Sequence, residues 1–395
     1  MARSRQALCR CTTSCRSECC PVNIETSAAR ASHHIDPESG AILTPIQPST
    51  TFERAPDGEY PGGYIYSRTG NPNREQLENT LTTLEGGAMC AAFSSGSAAS
   101  AAVFQALAGG DHAIAPNDCY HGTRALLRDV FARWGLQVSF VDFTDAAQVQ
   151  AATLPNTRLI WAETPSNPML KVTDIRRIAD IAHDAGAVFS CDNTWATPML
   201  QRPIELGADL VVHSTTKYIS GHSDVMGGAV VSARDDAFFG NVRQVQVTYG
   251  ATPSAFDCWL TLRGIRTLHL RMRAHCENAR AVAAYLAEHP RVEAVHYPGL
   301  AAPAEKAVAA AQMSEFGGML SFQVVGGRRQ AMEVAAKLRL FTRATSLGGT
   351  ESLIEHRASV EGPDTQTPDN LLRVSVGIEH MDDLLADMAQ ALGGN

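Results

Sequence analysis

Between residues 88 and 214 the chain repeats one pattern: a short, continuously apolar run, then a helical or turn-forming stretch. AMCAAF, HAIAP, VSFVDF, RLIWAE, AVFSCD and DLVVHS are the runs, and SAASAAVFQAL, HGTRALLRDVFARW and IRRIADIAHDAG are helical segments among them. A strand that is apolar along its whole length must be covered on both faces. Such strands interleaved with helices predict an α/β fold with a mostly parallel sheet between helical layers. Just upstream, REQLENTLTTLE places Leu77, Leu81 and Leu84 at helical spacing. Beyond about residue 265 the texture changes to a long helical stretch, 267–289, then the strand candidate MLSFQVV and the amphipathic HMDDLLADMAQAL. The expected division is a Pro-, Thr- and Ser-rich arm without helical periodicity, residues 22–69, a large domain, 70–265, and a smaller α/β domain, 266–395.

Composition excludes several classes of partner. The 395 residues are 45% hydrophobic and 19% charged, as in ordinary soluble proteins, and are long enough for a large core. A formal net charge of −8 argues against a nucleic-acid or anionic-membrane surface as the main partner. No apolar run reaches the roughly 18 residues of a membrane span. Of ten cysteines, five fall in the first twenty residues and five are scattered. Scattered cysteines in a chain of this size read as free thiols in a reducing, cytoplasmic setting. The leading RSRQALCRCTTSCRSECC has no C-x-x-C pair, no histidine and no apolar signal core, so residues 1–21 are read as a disordered extension without metal.

In parallel α/β sheets, ligands collect where strands end and helices begin. DLVVHS stops in Ser214, Thr215 and Thr216, followed by Lys217. Hydroxyls and backbone amides suit a phosphate, and a lysine amine beside them is free to condense with a carbonyl. Pyridoxal phosphate (PLP) carries both groups. Other strand ends carry compatible chemistry. SSGSAAS opens a helix after AMCAAF, where Gly96 and Ser97 offer amides to an anion, or simply allow a tight helix start. Tyr120, after HAIAPNDC, either lies over a flat ring or packs conventionally. Asn167 sits in TPSNP, a polar hand at the same rim or a plain Asn-Pro turn. Asp192 ends AVFSCD, where a carboxylate can keep a pyridine nitrogen protonated or merely cap a helix.

YSRTGNP, SSGSAA, Tyr120-His-Gly-Thr, ETPSNP, DNTWATP, HSTTKYISGHSD, TSLGGTESL and LLRVSVGIE span about residues 40–380. Together they resemble the Cys/Met-metabolism (trans-sulfuration) family of PLP enzymes. That resemblance implies the PLP-dependent transferase fold of type I, aspartate-aminotransferase-like. It implies that Lys217 condenses with the cofactor, Asp192 pairs with the pyridine nitrogen, and Tyr120 stacks on the ring. Gly96, Ser97, Ser214 and Thr216 would hold the phosphate, while Tyr66 and Arg68, on the arm, would reach the phosphate of an adjacent subunit. Arg373 would clamp the substrate carboxylate, with Asn167 and Ser346 nearby. The implied assembly is a homo-oligomer, a dimer with shared sites that pairs into a tetramer.

Some positions depart from the family pattern. Ser97 stands where Met is commoner, a change that a backbone contact tolerates. Ile65 and Thr345 stand where enzymes acting on cystathionine at the γ carbon often have acids, and Ala125 where they tend to have Arg, with Arg124 one place earlier. Trp195 in DNTWATP resembles β-lyase members. The leading expectation is a carbon–sulfur lyase that eliminates the β or γ substituent of a sulfur amino acid. Lys217 would shuttle the proton, and Tyr120 would assist. The alternative is a γ-replacement transferase of the cystathionine γ-synthase or O-acyl-homoserine sulfhydrylase type. A catalytically inactive relative is disfavoured, because Lys217, Asp192 and Arg373 are all present.

Overall fold

A computed structural model describes residues 22–362 and 365–393; the Cys-rich residues 1–21 lie outside the described residues. The larger sheet contains β1 (Met89–Phe93), β2 (His112–Pro116), β3 (Gln137–Val141), β4 (Thr157–Glu163), β5 (Val188–Asp192), β6 (Leu210–His213) and β7 (Gly228–Ser232). Their order is β1-β7-β6-β5-β4-β2-β3. Neighbours are parallel except around β7, which runs against both β1 and β6. The mostly parallel α/β sheet expected from the apolar runs is therefore present, with one reversed strand. β7 was not anticipated, because its short GAVVS segment follows a Gly-rich turn and shows no separate periodic signal.

The two-residue period of the strands divides the core. Along β4, Leu159 and Trp161 join Phe104, Leu127 and Phe131 on one face. Ile160 and Ala162 join Ile178, Phe189 and Ile114 on the other. Helix Pro72–Glu85 covers a further part with Leu77, Leu81 and Leu84. Asn71 starts this helix by accepting from the amides of Asn73 and Arg74, and Gly86 ends it in left-handed backbone.

Two segments differ from expectation. The arm, without helical periodicity in the sequence, contains one helix: Ile24–Ala29 spans six residues, too few to register as periodicity, and its Ala28 packs with Leu77 and Leu81. The segment 121–134 is not one helix. It passes from α-helix (His121–Ala125) through a wide π turn (Leu126–Val130) into a 3₁₀ turn (Phe131–Trp134). The wide turn lets Leu127 and Phe131 reach the core while Leu126 faces the cleft described below.

A second sheet, β10-β11-β12-β9-β8, is built from β8 (Val292–His296), β9 (Met319–Val324), β10 (Thr342–Arg343), β11 (Leu353–His356) and β12 (Leu371–Ser375). Its own core includes Leu286, Phe322, Val334, Val374, Leu384 and Met388. Helix Leu268–Glu288 ties the two sheets together. Arg271 Nη1 donates to Tyr218 O at 2.7 Å, His275 Nδ1 to Val376 O at 2.7 Å, and Asn278 Nδ2 to Gly377 O at 3.0 Å. One rigid rod thus links the residue after Lys217 to the strand end after Arg373. No helix among the described residues is long and apolar enough to cross a membrane.

The segment leading to Ser346 is held by one carboxylate. Buried Asp387 accepts from the amides of Arg339 (3.0 Å), Leu340 (2.8 Å) and Phe341 (3.3 Å). Asp387→Ala removes the shared side-chain acceptor of three amides and is expected to lower stability by about 2–3 kcal/mol. Urea unfolding should show a lower midpoint with an unchanged slope; an unaltered midpoint would contradict this anchoring.

Candidate active site

The C-terminal ends of the central strands open into a cleft of about 230 Å³ that the second sheet closes from the other side. The expected residues Gly96, Ser97, Tyr120, Asn167, Asp192, Ser214, Thr216, Lys217, Ser346 and Arg373 all line it. Tyr66 and Arg68 do not. Arg68 Nη1 donates to Val247 O at 3.0 Å and its guanidinium lies over the exposed Tyr66 ring, away from the cleft of the same chain.

At one end, β1 passes into helix Gly96–Gln105, with Ser95 as cap accepting from Ala98 N at 3.1 Å. Helix and β6 approach too closely for side chains. A Cβ on Gly96 would lie 2.6 Å from Ser214 Cβ, and one on Gly228 2.2 Å from Ser95 O. As first-turn groups, the amides of Gly96 and Ser97 meet no acceptor among the described residues. The amide of Ser214 donates to Thr194 Oγ1 at 2.8 Å. The Thr216 hydroxyl is engaged with Gly227, donating to its carbonyl at 3.2 Å and accepting from its amide at 3.0 Å.

At the other end stand two carboxylates. Asp192 and Glu163 are register partners on the parallel pair β5–β4, so both side chains point to the same rim. Thr194 N donates to Asp192 at 3.0 Å, and Tyr120 N donates to Glu163 at 2.8 Å. Burial pushes both acids above the usual carboxylate range, and for Glu163 the neighbouring Asp192 charge adds to it. Two carboxylates in one desolvated site resist ionising together unless a cation meets them. Glu163 escaped the sequence analysis, although it ends an apolar strand just as Asp192 does. Thr194 lay in view in DNTWATP.

Lys217 lies between these ends. Its Nζ donates to Ser346 Oγ at 2.8 Å. Burial, and then the positive charge of Arg373, push its ammonium down to about 8. Ser346 adopts left-handed backbone with φ of 82°, a strained conformation that places hydroxyl and carbonyl on opposite partners. Arg373 Nη2 donates to Ser346 O at 3.1 Å and Nη1 to Asn167 Oδ1 at 3.1 Å. Burial, then the neighbouring Arg357, bring Arg373 down to about 10, so it stays charged at neutral pH. Arg357 and its partner Glu355 had no sequence signal.

These groups fit PLP. Acceptor-free amides at a helix start and the hydroxyl of Ser214 suit a phosphate. The half-exposed Tyr120 ring offers a face, a carboxylate pair awaits a protonated ring nitrogen, and Lys217 offers an amine. Among the described residues, no group of three or more His, Cys, Asp or Glu side chains could hold a metal ion.

Residues 25–393 match the model of the Cys/Met metabolism PLP-dependent enzymes. The chain belongs to that family. It is similar to the cystathionine gamma-synthase of Mycobacterium tuberculosis, 49% identical over 93% of this chain and 96% of that one. It is also similar to the cystathionine gamma-lyase of Dictyostelium discoideum, 42% identical over 93% and 97%. The crystal structure of metB from Corynebacterium glutamicum superposes with a TM-score of 0.91 at 44% identity, covering 94% of this chain and 98% of that one. This family member is thus a PLP-dependent enzyme of the trans-sulfuration group, a carbon–sulfur lyase or a γ-replacement transferase acting on an amino acid.

The depressed Lys217 gives a signed expectation for cofactor loading. Only the neutral amine attacks a carbonyl, and a lower pKa makes that form abundant at lower pH. The rate at which cofactor-free protein acquires visible absorbance with PLP should rise with pH and level off above about 8. A rate still climbing toward the ordinary lysine value of about 10.4 would contradict the burial argument.

Proposed function

We propose that this chain is a carbon–sulfur lyase, which removes a sulfur substituent from the β or γ carbon of an amino acid. The observation that carries this reading is the meeting of Lys217 and Arg373 on the two sides of Ser346. The amine lies 2.8 Å from the Ser346 hydroxyl, and the guanidinium 3.1 Å from its carbonyl. An amino acid whose carboxylate pairs with Arg373 and Asn167 brings its α carbon to Lys217. PLP, when bound, supplies the electron sink that makes the α proton acidic. Asp192 is read as the group that keeps the ring nitrogen protonated. Tyr120 is read as the stacking ring, and Gly96, Ser97, Ser214 and Thr216 as the phosphate cradle. Lys217, neutral in substantial fraction near pH 8, takes the α proton and returns it along the substrate, and the Tyr120 hydroxyl serves as a second acid. The substrate then lies between a large domain, 70–265, and a small one, 266–395, in a cytoplasmic enzyme.

Distal selectivity favours small or apolar groups. Thr345 on the cleft wall and Ile65 on the arm are uncharged, so neither offers an anion to a distant ammonium. Arg124 is not on the cleft wall: it donates to Asn117 O at 2.6 Å, lies over Phe140 and lines a neighbouring cavity that shares Asn167 with the cleft. A γ-replacement transferase is the second reading, favoured by the identity with mycobacterial cystathionine gamma-synthase. The loaded protein should be given methionine, cysteine, cystathionine and O-acetyl- or O-succinyl-homoserine. 2-Oxobutanoate with a thiol from methionine, or pyruvate from cysteine, without added nucleophile supports the lyase. Turnover confined to the homoserine ester plus a thiol supports replacement instead.

We further propose a dimer with shared sites, two dimers forming a tetramer. Ile65 and Tyr66 on the arm are exposed, as are Met226 and Tyr249, so this side of the protomer presents apolar surface to a second copy. There Tyr66 and Arg68 would meet the neighbour's phosphate. Arg68→Ala is expected to weaken PLP retention about 10- to 100-fold, the loss of one charge-assisted contact. Mixing Arg68→Ala chains with Lys217→Ala chains should restore activity, because a mixed dimer gathers both defects in one site and leaves the other intact. Mixed dimers that form yet stay inactive would refute sharing.

A further inference from the structure

Arg373 shares its acid. Glu355 faces Arg373 directly across the antiparallel β11–β12 pair. Its Oε2 accepts from Arg373 Nη2 at 2.9 Å and from Arg357 Nη1 at 2.6 Å. Arg357 is only 3% exposed and reaches the cleft wall. Its other nitrogens meet Glu361 Oε1, Nε at 3.1 Å and Nη2 at 3.0 Å. Glu361 Oε2 accepts in turn from the hydroxyls of Thr365 and Thr367, each at 2.6 Å. The outcome is an alternating row, Arg373–Glu355–Arg357–Glu361, from the cleft outward.

Geometry gives Arg357 a task. A carboxylate directly opposite an arginine, in a site of low dielectric, pairs with it through both oxygens when nothing else holds it. Such a fork-to-fork pair would occupy the donors that an incoming carboxylate needs. Arg357 competes for Glu355 Oε2, so the Glu355–Arg373 contact runs through one nitrogen while Nη1 of Arg373 turns to Asn167. The row holds two arginines and two glutamates, so its formal charges balance and the effect of Arg357 on Arg373 is one of geometry. Glu361 makes no hydrogen bond to Arg373 or Glu355; it braces Arg357 from its other edge.

The geometry points to Arg357 as a positioning residue for substrate: by holding Glu355 in a single-point contact, it keeps the Arg373 guanidinium oriented for an amino-acid α-carboxylate. This assignment rests on the reading of Arg373 given under the proposed function. It concerns Arg357 alone, and no step of the chemistry passes through that side chain.

The test compares a ligand that has the carboxylate with one that lacks it. Wild type, Arg357→Met, Arg357→Lys and Glu361→Gln, all loaded with PLP, are titrated with L-methionine and with 3-(methylsulfanyl)propylamine, its decarboxylated counterpart, while the cofactor absorbance is followed. Steady-state turnover of methionine is measured alongside. Arg357→Met should raise KM for methionine about 10-fold or more, with kcat changed less than about threefold, since an oriented charge-assisted contact is lost in binding. Its affinity for the amine should stay within about twofold of wild type. Arg357→Lys should fall between, and Glu361→Gln should shift KM in the same direction by less. Equal losses for methionine and amine would show a merely structural role and overturn the inference, as would a fall in kcat alone. A loss seen with cystathionine but not methionine would also overturn it, making Arg357 a ligand of the distal group. If Arg357→Met does not fold, Glu361→Gln decides, and an unchanged methionine KM there overturns the inference. A wild type that binds the amine as well as methionine would instead refute the role of Arg373 itself.

Discussion

A single amine held out of water, with a guanidinium behind it, sets the terms for this cleft. Lys217 projects from the loop after β6, and desolvation together with the charge of Arg373 weakens its hold on its proton. Such an amine can act as nucleophile and as proton carrier near neutral pH, which a solvated lysine cannot do efficiently. The surrounding structure keeps it in that condition. Ser346, in strained left-handed backbone, supplies a neutral partner instead of a carboxylate, so the ammonium gains no strong counter-ion. The acids present are placed elsewhere: Glu355 on the two arginines, and Glu163 and Asp192 at the far end of the cleft.

That division of charge depends on both sheets being fixed relative to each other. Lys217 and the open helix-start amides lie at strand ends of the larger sheet, Arg373 on β12 of the smaller one, and Ser346 bridges Lys217 and Arg373. Helix Leu268–Glu288 makes the spacing rigid, because Arg271 bonds beside Lys217 and His275 and Asn278 bond beyond Arg373. The close contacts at Gly96 and Gly228 do the same on the opposite side, where any Cβ would push the helix start away from β6.

Much of this was legible in the sequence because the relevant side chains stand at ends of apolar runs. Lys217, Asp192, Asn167 and Tyr120 all follow strands, and the topology of a parallel sheet gathers such ends on one edge. Glu163 carries the same signal, an acid at the end of an apolar run. Arg357 and Glu355 could not be read, since their importance comes from β11 lying antiparallel to β12 in one register, a tertiary fact. β7 and the broken helix at 121–134 were hidden for a similar reason: reversed strand direction and a widened turn answer to packing of the core, not to local periodicity.

Whether the buried amine is the one that bears the cofactor is open to direct chemical mapping. The chain has four lysines, Lys171, Lys217, Lys306 and Lys337. Protein loaded with PLP, reduced with borohydride, digested and analysed by mass spectrometry should carry the pyridoxyl group stoichiometrically on the peptide containing Lys217. Stoichiometric modification of another lysine, or a Lys217→Ala protein that still traps one equivalent, would rule out Lys217 as that amine.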